Sequence, residues 1–142
     1  MSTHTLRPAI TYATAARAVE IALEVAERSG VRAVVTVVDP AMTPVAFARA
    51  DGATPHSLET SRRKAATAAS TGRPTAQMSP ELAVALEHGS GGLLTRIKGG
   101  VPLVFEGLHV GGLGVAGGHP DQDAEIAAEV LARLGADPEA AR

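Results

Sequence analysis

Cysteine and tryptophan are both missing from this 142-residue chain, and aromatic residues make up only 2% of it. Without cysteine the protein has no disulfide, no thiolate nucleophile and no zinc site built on thiolates. So few aromatic rings leave no platforms on which single-stranded bases could stack. The formal net charge of −2 points the same way, because a phosphate backbone selects a basic surface. We therefore expect no nucleic-acid partner.

Long apolar runs are missing as well. The N-terminus lacks an apolar stretch of signal-peptide length, and no segment approaches the roughly 20 residues of a transmembrane helix. We therefore expect no membrane partner and a cytoplasmic location. What the chain does have is 45% hydrophobic residues, mostly small and aliphatic, in a length typical of one domain. Such a core requires closely spaced helices and strands.

The hydrophobic pattern predicts eight elements in the order α-β-β-α-α-β-β-α. The predicted helices run from Thr11 to Gly30, over Leu58–Ser70 after an N-cap at Ser57, for about two turns after Ser79-Pro80, and from about Pro120 to Gly135. The predicted strands are Val31–Val38, Val45–Ala50, Val101–Phe105 and Leu108–Ala116. Because each strand pair reads as a hairpin, we expect an α+β fold with a single antiparallel sheet flanked by helices on both faces. The tail after Gly135 is predicted to be frayed.

The densest polar cluster lies at the start of the second helix. Thr60 and Lys64 share one helix face, whereas Glu59 shares another with Arg62 and Arg63. If the Lys64 face lines a cleft, its ammonium and nearby hydroxyls could bind a carboxylate, phosphate or propionate. The alternative is a solvated helix with an exposed ion pair. Arg73, just past the predicted helix end, could bind an anion or cap helix carbonyls.

Histidine can serve as metal ligand or general base, so each of the five histidines is a candidate. His56, before a helix start, and His88, before a glycine loop, are the best placed to face a pocket. His119 could help to hold an anion at a helix N-terminus or could be a mediocre cap. His4 is expected to be inert and His109 exposed. No HExxH and no histidine pair at i,i+4 occurs, so we expect no dedicated metal site.

Several short motifs, taken in order, carry a resemblance to a known family. They are VVDP, the Asp51-Gly52-Ala53 turn, Ser57, Lys64 with its following alanines, Gly72–Thr75, Gly99–Leu103, and Gly114–Gly118 with Asp121–Asp123. Together they resemble the GlcG/HbpS-like family, often labelled the haem-degrading domain, over residues 11–135 of a single domain spanning 1–142. The resemblance implies a profilin-like αββααββα fold and homo-oligomers from dimer to octamer. It also implies binding of haem or a corrinoid in some members.

Two functions are compatible with these residues. The first is an oligomeric small-ligand-binding protein for haem or a related tetrapyrrole, with ligand-binding candidates His56, Thr60, Lys64, Arg73, His88 and His119. Haem is the candidate cofactor, with His56 or His88 as its axial ligand. The second is a cofactor-free enzyme acting on a small acidic or carbonyl metabolite, with His56 or Glu59 as general base and Lys64 or Arg73 neutralising developing negative charge. A structural oligomer without either activity is the third interpretation.

Overall fold

The computed structural model describes residues 1–141 and contains one four-stranded sheet with the strand order β2-β1-β4-β3, in which all neighbours are antiparallel. The elements are α1 (Tyr12–Arg28), β1 (Val34–Val38), β2 (Pro44–Arg49), α2 (Ser57–Thr71), α3 (Pro80–Gly89), β3 (Gly100–Phe105), β4 (Leu108–Ala116), α4 (Pro120–Leu134) and the short 3₁₀ helix η1 (Pro138–Ala141). The predicted order of helices and strands and the α+β class are confirmed.

The strand and helix ends follow from local sequence. Glu106 and Gly107 both take positive φ values, 51° and 77°, which is the geometry that a two-residue hairpin between β3 and β4 requires. Helix α3 starts with the predicted serine cap, since the Ser79 hydroxyl accepts a hydrogen bond from the Leu82 N–H. Gly135 ends α4 in the left-handed conformation.

The sheet is covered on both faces, as predicted. Helix α2 packs across β4, β1 and β3 on one face, and α1 and α4 pack together on the other. Strand β1 is buried along its whole length, which explains its β-branched residues on both parities. Gly112 and Gly114 let α2 lie directly on β4, because a Cβ at Gly114 would fall on the Ser61 carbonyl oxygen.

Three predictions about local structure are wrong. Ser57 is the first helical residue and not the N-cap: His56 takes the cap position without a side-chain cap, and the Ser57 hydroxyl lies 2.6 Å from that of Thr54. Residues 136–141 of the tail are not frayed, because the Asp137 N–H donates to the Val104 carbonyl at 2.8 Å and η1 follows, whereas residue 142 lies outside the described residues. His109 is half-buried, with an enclosed Nε2 that has no hydrogen-bond partner.

Among the helices of residues 1–141, none is both long enough and apolar enough to cross a bilayer.

Candidate functional site

Two adjoining clefts lie where the first turn of α2 meets the loop before β3 and the start of α4. The main cleft has a volume of about 390 Å³ and is lined by Thr54, His56, Ser57, Thr60, Lys64, Ile97, Ala116, Gly117, Gly118, Pro120 and Asp123. The side cleft has a volume of about 340 Å³ and is lined by His56, Glu59, Thr60, Arg63, Glu87, Leu94, Thr95 and Ile97. Three residues, His56, Thr60 and Ile97, line both. The two clefts are therefore two sides of one site.

His56 stands at the rim between the two clefts. It directly precedes α2, and its carbonyl accepts hydrogen bonds from the Thr60 N–H and the Thr60 hydroxyl, both at 3.1 Å. Its imidazole is exposed and forms no hydrogen bond within residues 1–141. Both ring nitrogens are therefore available to a ligand.

Lys64 reaches the main cleft from α2 and is 1% exposed. Its Nζ lies 2.9 Å from Asp123 Oδ2 and donates to the Val115 carbonyl at 2.8 Å. The other oxygen of Asp123 accepts the Gly118 N–H at 2.9 Å. Burial lowers the pKa of Lys64, and the Asp123 carboxylate opposes that effect. The Lys64 ammonium thus has a carboxylate partner inside the protein, so the prediction that it meets a ligand carboxylate has no support here.

The Lys64–Asp123 pair joins helices from opposite faces of the sheet. The pair lies beside Gly99, the residue before β3. A Cβ at Gly99 would lie 2.8 Å from Lys64 Nζ and 2.9 Å from Asp123 Cβ. Glycine at this position therefore leaves the space in which the two side chains meet.

Glu59 lies on the side cleft and is held mainly by Arg62. Arg62 donates to both carboxylate oxygens of Glu59, at 3.1 and 2.7 Å, whereas Arg63 Nε is 3.6 Å away. The hydrogen bonds from Arg62 lower the pKa of Glu59. A carboxylate with a lowered pKa is a weaker base, so this geometry favours His56 over Glu59 as a proton acceptor.

The remaining candidates do not line either of the two clefts. Arg73 lines a separate groove together with Met78 and Leu82. His88 is exposed at the end of α3. His119 lies beside the main cleft and caps α4: its Nδ1 accepts the Asp121 N–H at 3.2 Å. The structure therefore brings His56, Glu59, Thr60 and Lys64 together and separates them from Arg73 and His88.

Sequence reasoning overlooked Asp123 as the partner of Lys64. In the sequence this residue stands out only as part of the Asp121–Asp123 motif. A signal was present, because a lysine surrounded by alanines in a helix that covers a sheet needs a carboxylate if it is buried. In residues 1–141 no three His, Cys, Asp or Glu side chains come together as metal ligands.

Comparisons with known proteins agree with this fold along nearly the whole chain. The model of the family described as haem degrading protein HbpS-like matches residues 10–132. The crystal structure of a double mutant of Streptomyces reticuli HbpS is 34% identical with a TM-score of 0.84, covering 95% of this chain and 93% of that one. No curated protein sequence matches the chain.

Two further structures are similar. The haem complex of PduOC is 28% identical with a TM-score of 0.84, and the match covers 92% of this chain and 98% of that one. The Klebsiella pneumoniae protein ORFY is 26% identical with a TM-score of 0.86, covering 95% and 97%.

Proposed function

Because the chain belongs to the HbpS-like family, we propose that it binds a small ligand in the two clefts around His56, and that haem or a related tetrapyrrole is the first candidate. The observation that carries the proposal is the imidazole of His56, which lines both clefts and has no hydrogen bond to another part of residues 1–141. A side chain held in this way is suited to ligation, because neither nitrogen must first give up a partner. The haem complex of the similar PduOC structure supports the same class of ligand.

The residues around His56 fit a tetrapyrrole in two respects. Apolar groups flank the imidazole, among them Ile97, which is 45% exposed, and Leu94 in the side cleft. An exposed apolar side chain beside a free imidazole would offer a flat ligand both a contact surface and a nitrogen ligand. When bound, haem would supply the iron, and His56 would hold it.

A haem titration followed by visible absorption tests the proposal. We expect saturable binding with a Soret band that shifts or disappears in His56→Ala. His88→Ala is the matched control, since His88 is an exposed histidine that lines neither cleft, and it should leave the spectrum unchanged. Loss of the band in the His88 variant alone, or in neither variant, would contradict His56 as the ligand.

The alternative proposal is a cofactor-free enzyme acting on a small acidic or carbonyl metabolite in the same clefts. His56 is its general base, because the pKa of Glu59 is lowered by Arg62. Lys64 also lines the main cleft, where the Asp123 carboxylate balances its charge. A colourless protein whose turnover of such a metabolite disappears in His56→Ala, with the circular dichroism spectrum retained, would favour this alternative.

We also propose that the protein forms a homo-oligomer. Helix α3 supports this, because Leu82 and Val84 are 57% and 68% exposed and Ala83 is its one buried residue in the described structure. Apolar side chains on a short surface helix gain free energy when a second copy covers them. Light scattering at micromolar concentration should report more than one chain per particle, and Val84→Glu should reduce that number. A monomeric parent would contradict the proposal.

A further inference from the structure

The clefts contain two cationic side chains in addition to the histidine, and only one of them donates hydrogen bonds to other residues of the described structure. Lys64 donates to Asp123 and to the Val115 carbonyl. Arg63 has five N–H donors and forms no hydrogen bond with them within residues 1–141. Its ion-pair partner, Glu59 Oε2, lies 3.6 Å from Nε and accepts a hydrogen bond from Arg62 at 2.7 Å. The guanidinium of Arg63 is therefore close to a carboxylate that is already occupied.

The loop before β3 leaves space for this unsatisfied guanidinium. Gly92, with φ +81°, lies beneath it, and a Cβ there would be 3.0 Å from Nη1 and 3.2 Å from Cζ of Arg63. The side chain of Arg63 is 42% exposed and lines the side cleft beside His56 and Thr60. The planar guanidinium of Arg63 thus lies against Gly92, and part of the guanidinium is open to the side cleft.

From this arrangement we propose that Arg63 binds a carboxylate of the ligand, and that the side cleft is the anionic end of the binding site. The inference rests on the proposed function and adds the chemical class of the group recognised. A guanidinium holds a carboxylate through two parallel hydrogen bonds, which is a geometry that lysine does not offer. The carboxylate belongs either to a tetrapyrrole propionate or to a free small acid.

Other charges around the side cleft limit what can bind. Glu87 also lines it, with one oxygen that accepts hydrogen bonds from the Thr95 hydroxyl and the Arg96 N–H, both at 2.9 Å. These bonds hold the Glu87 carboxylate in place and leave its charge facing the same space. The guanidinium of Arg63 balances the charge of a single ligand carboxylate. A polyanion would in addition be repelled by the carboxylates of Glu87 and Glu59. The side cleft therefore suits one ligand carboxylate, bound at Arg63.

The experiment compares three probes on the parent protein and on three variants. The probes are haem, haem dimethyl ester, in which both propionates are masked, and glutarate as a free small acid. The variants are Arg63→Gln, Arg63→Lys and Arg73→Gln. The last makes the same charge change at an arginine that lines neither cleft. Circular dichroism confirms that each variant is folded.

We expect Arg63→Gln to weaken haem or glutarate binding about tenfold, allowing for the partial exposure of the guanidinium. Arg63→Lys should recover only part of that loss. For the dimethyl ester, Arg63→Gln and the parent should bind equally. Loss with haem alone identifies the propionate, and loss with glutarate alone identifies a free acid.

Two results would overturn the inference. One is an equal loss in Arg63→Gln and Arg73→Gln, which would indicate a general charge effect. The other is binding to the parent by haem, glutarate or both that is unchanged in all three variants for each probe with a free carboxylate. If haem fails to bind the parent but glutarate shows the Arg63 dependence, the haem proposal fails while the carboxylate site stands. If none of the probes binds the parent, both proposals fail.

Discussion

Breaking the buried pair between Lys64 and Asp123 should cost more stability than any other single ion-pair change in the described structure. The two side chains are 1% and 3% exposed, with Nζ and Oδ2 2.9 Å apart. Lys64→Met removes the cation and leaves the Asp123 carboxylate buried, which costs about 3–5 kcal/mol in comparable cases. A domain of this size is stable by only about 5–15 kcal/mol, so the variant should lie near the limit of folding.

Urea denaturation followed by circular dichroism measures this cost through the midpoint, at an unchanged slope. The double variant Lys64→Met with Asp123→Asn should lose less stability than the two single variants lose together, because each single change leaves the other side chain buried without its partner. Lys98→Met is the matched control, since it removes an exposed lysine 2.7 Å from Asp121 and should cost less than about 1 kcal/mol. Equal costs for the two lysine variants would refute the reasoning.

Two further predictions concern packing and pH. Gly114→Ala should lower the free energy of unfolding by roughly 3 kcal/mol in urea denaturation, because its Cβ would fall on the Ser61 carbonyl and α2 would have to move. Gly89→Ala is the control: a Cβ at Gly89 meets no atom within 4 Å, so this variant should lose no stability. Glu24, whose pKa the hydrogen bond from Arg133 lowers, contributes stability above its ordinary pKa of 4.5 that is lost as the pH falls. The stability difference between the parent and Arg133→Gln should therefore shrink on acidification; a difference that grew would contradict the sign.

The fold could be predicted well because its signals are local. The ends of β4 were predicted to the residue, since the Glu106-Gly107 turn and the glycine pair after Ala116 bracket it. The start of α2 was displaced by one residue, because the Ser57 hydroxyl bonds to Thr54 and not to the helix backbone. A serine before a helix carries the same sequence signal in both arrangements.

The candidate site could be predicted only in part because its contacts are tertiary. Helical spacing predicts that Thr60 and Lys64 share a face, and both line the main cleft with His56, whereas the partner of Lys64 lies 59 positions further along the chain. Which arginine is satisfied depends on side-chain geometry: Glu59 bonds to Arg62 at i+3 in preference to Arg63 at i+4. Helical spacing permits both pairs equally.

The contact between α2 and β4 restricts how the candidate site could change during evolution. Where Gly112 and Gly114 meet Ser61 and Ala65, main chain rests against main chain. At these positions no large side chain lies between the helix and the strand, so a substitution to a smaller residue cannot bring the helix closer. Relatives that keep this contact must hold residue 56 at one height above the sheet. New ligands would then be accommodated by exchanging side chains in the first turn of α2 and in the segment 92–97, while the helix itself stays in place.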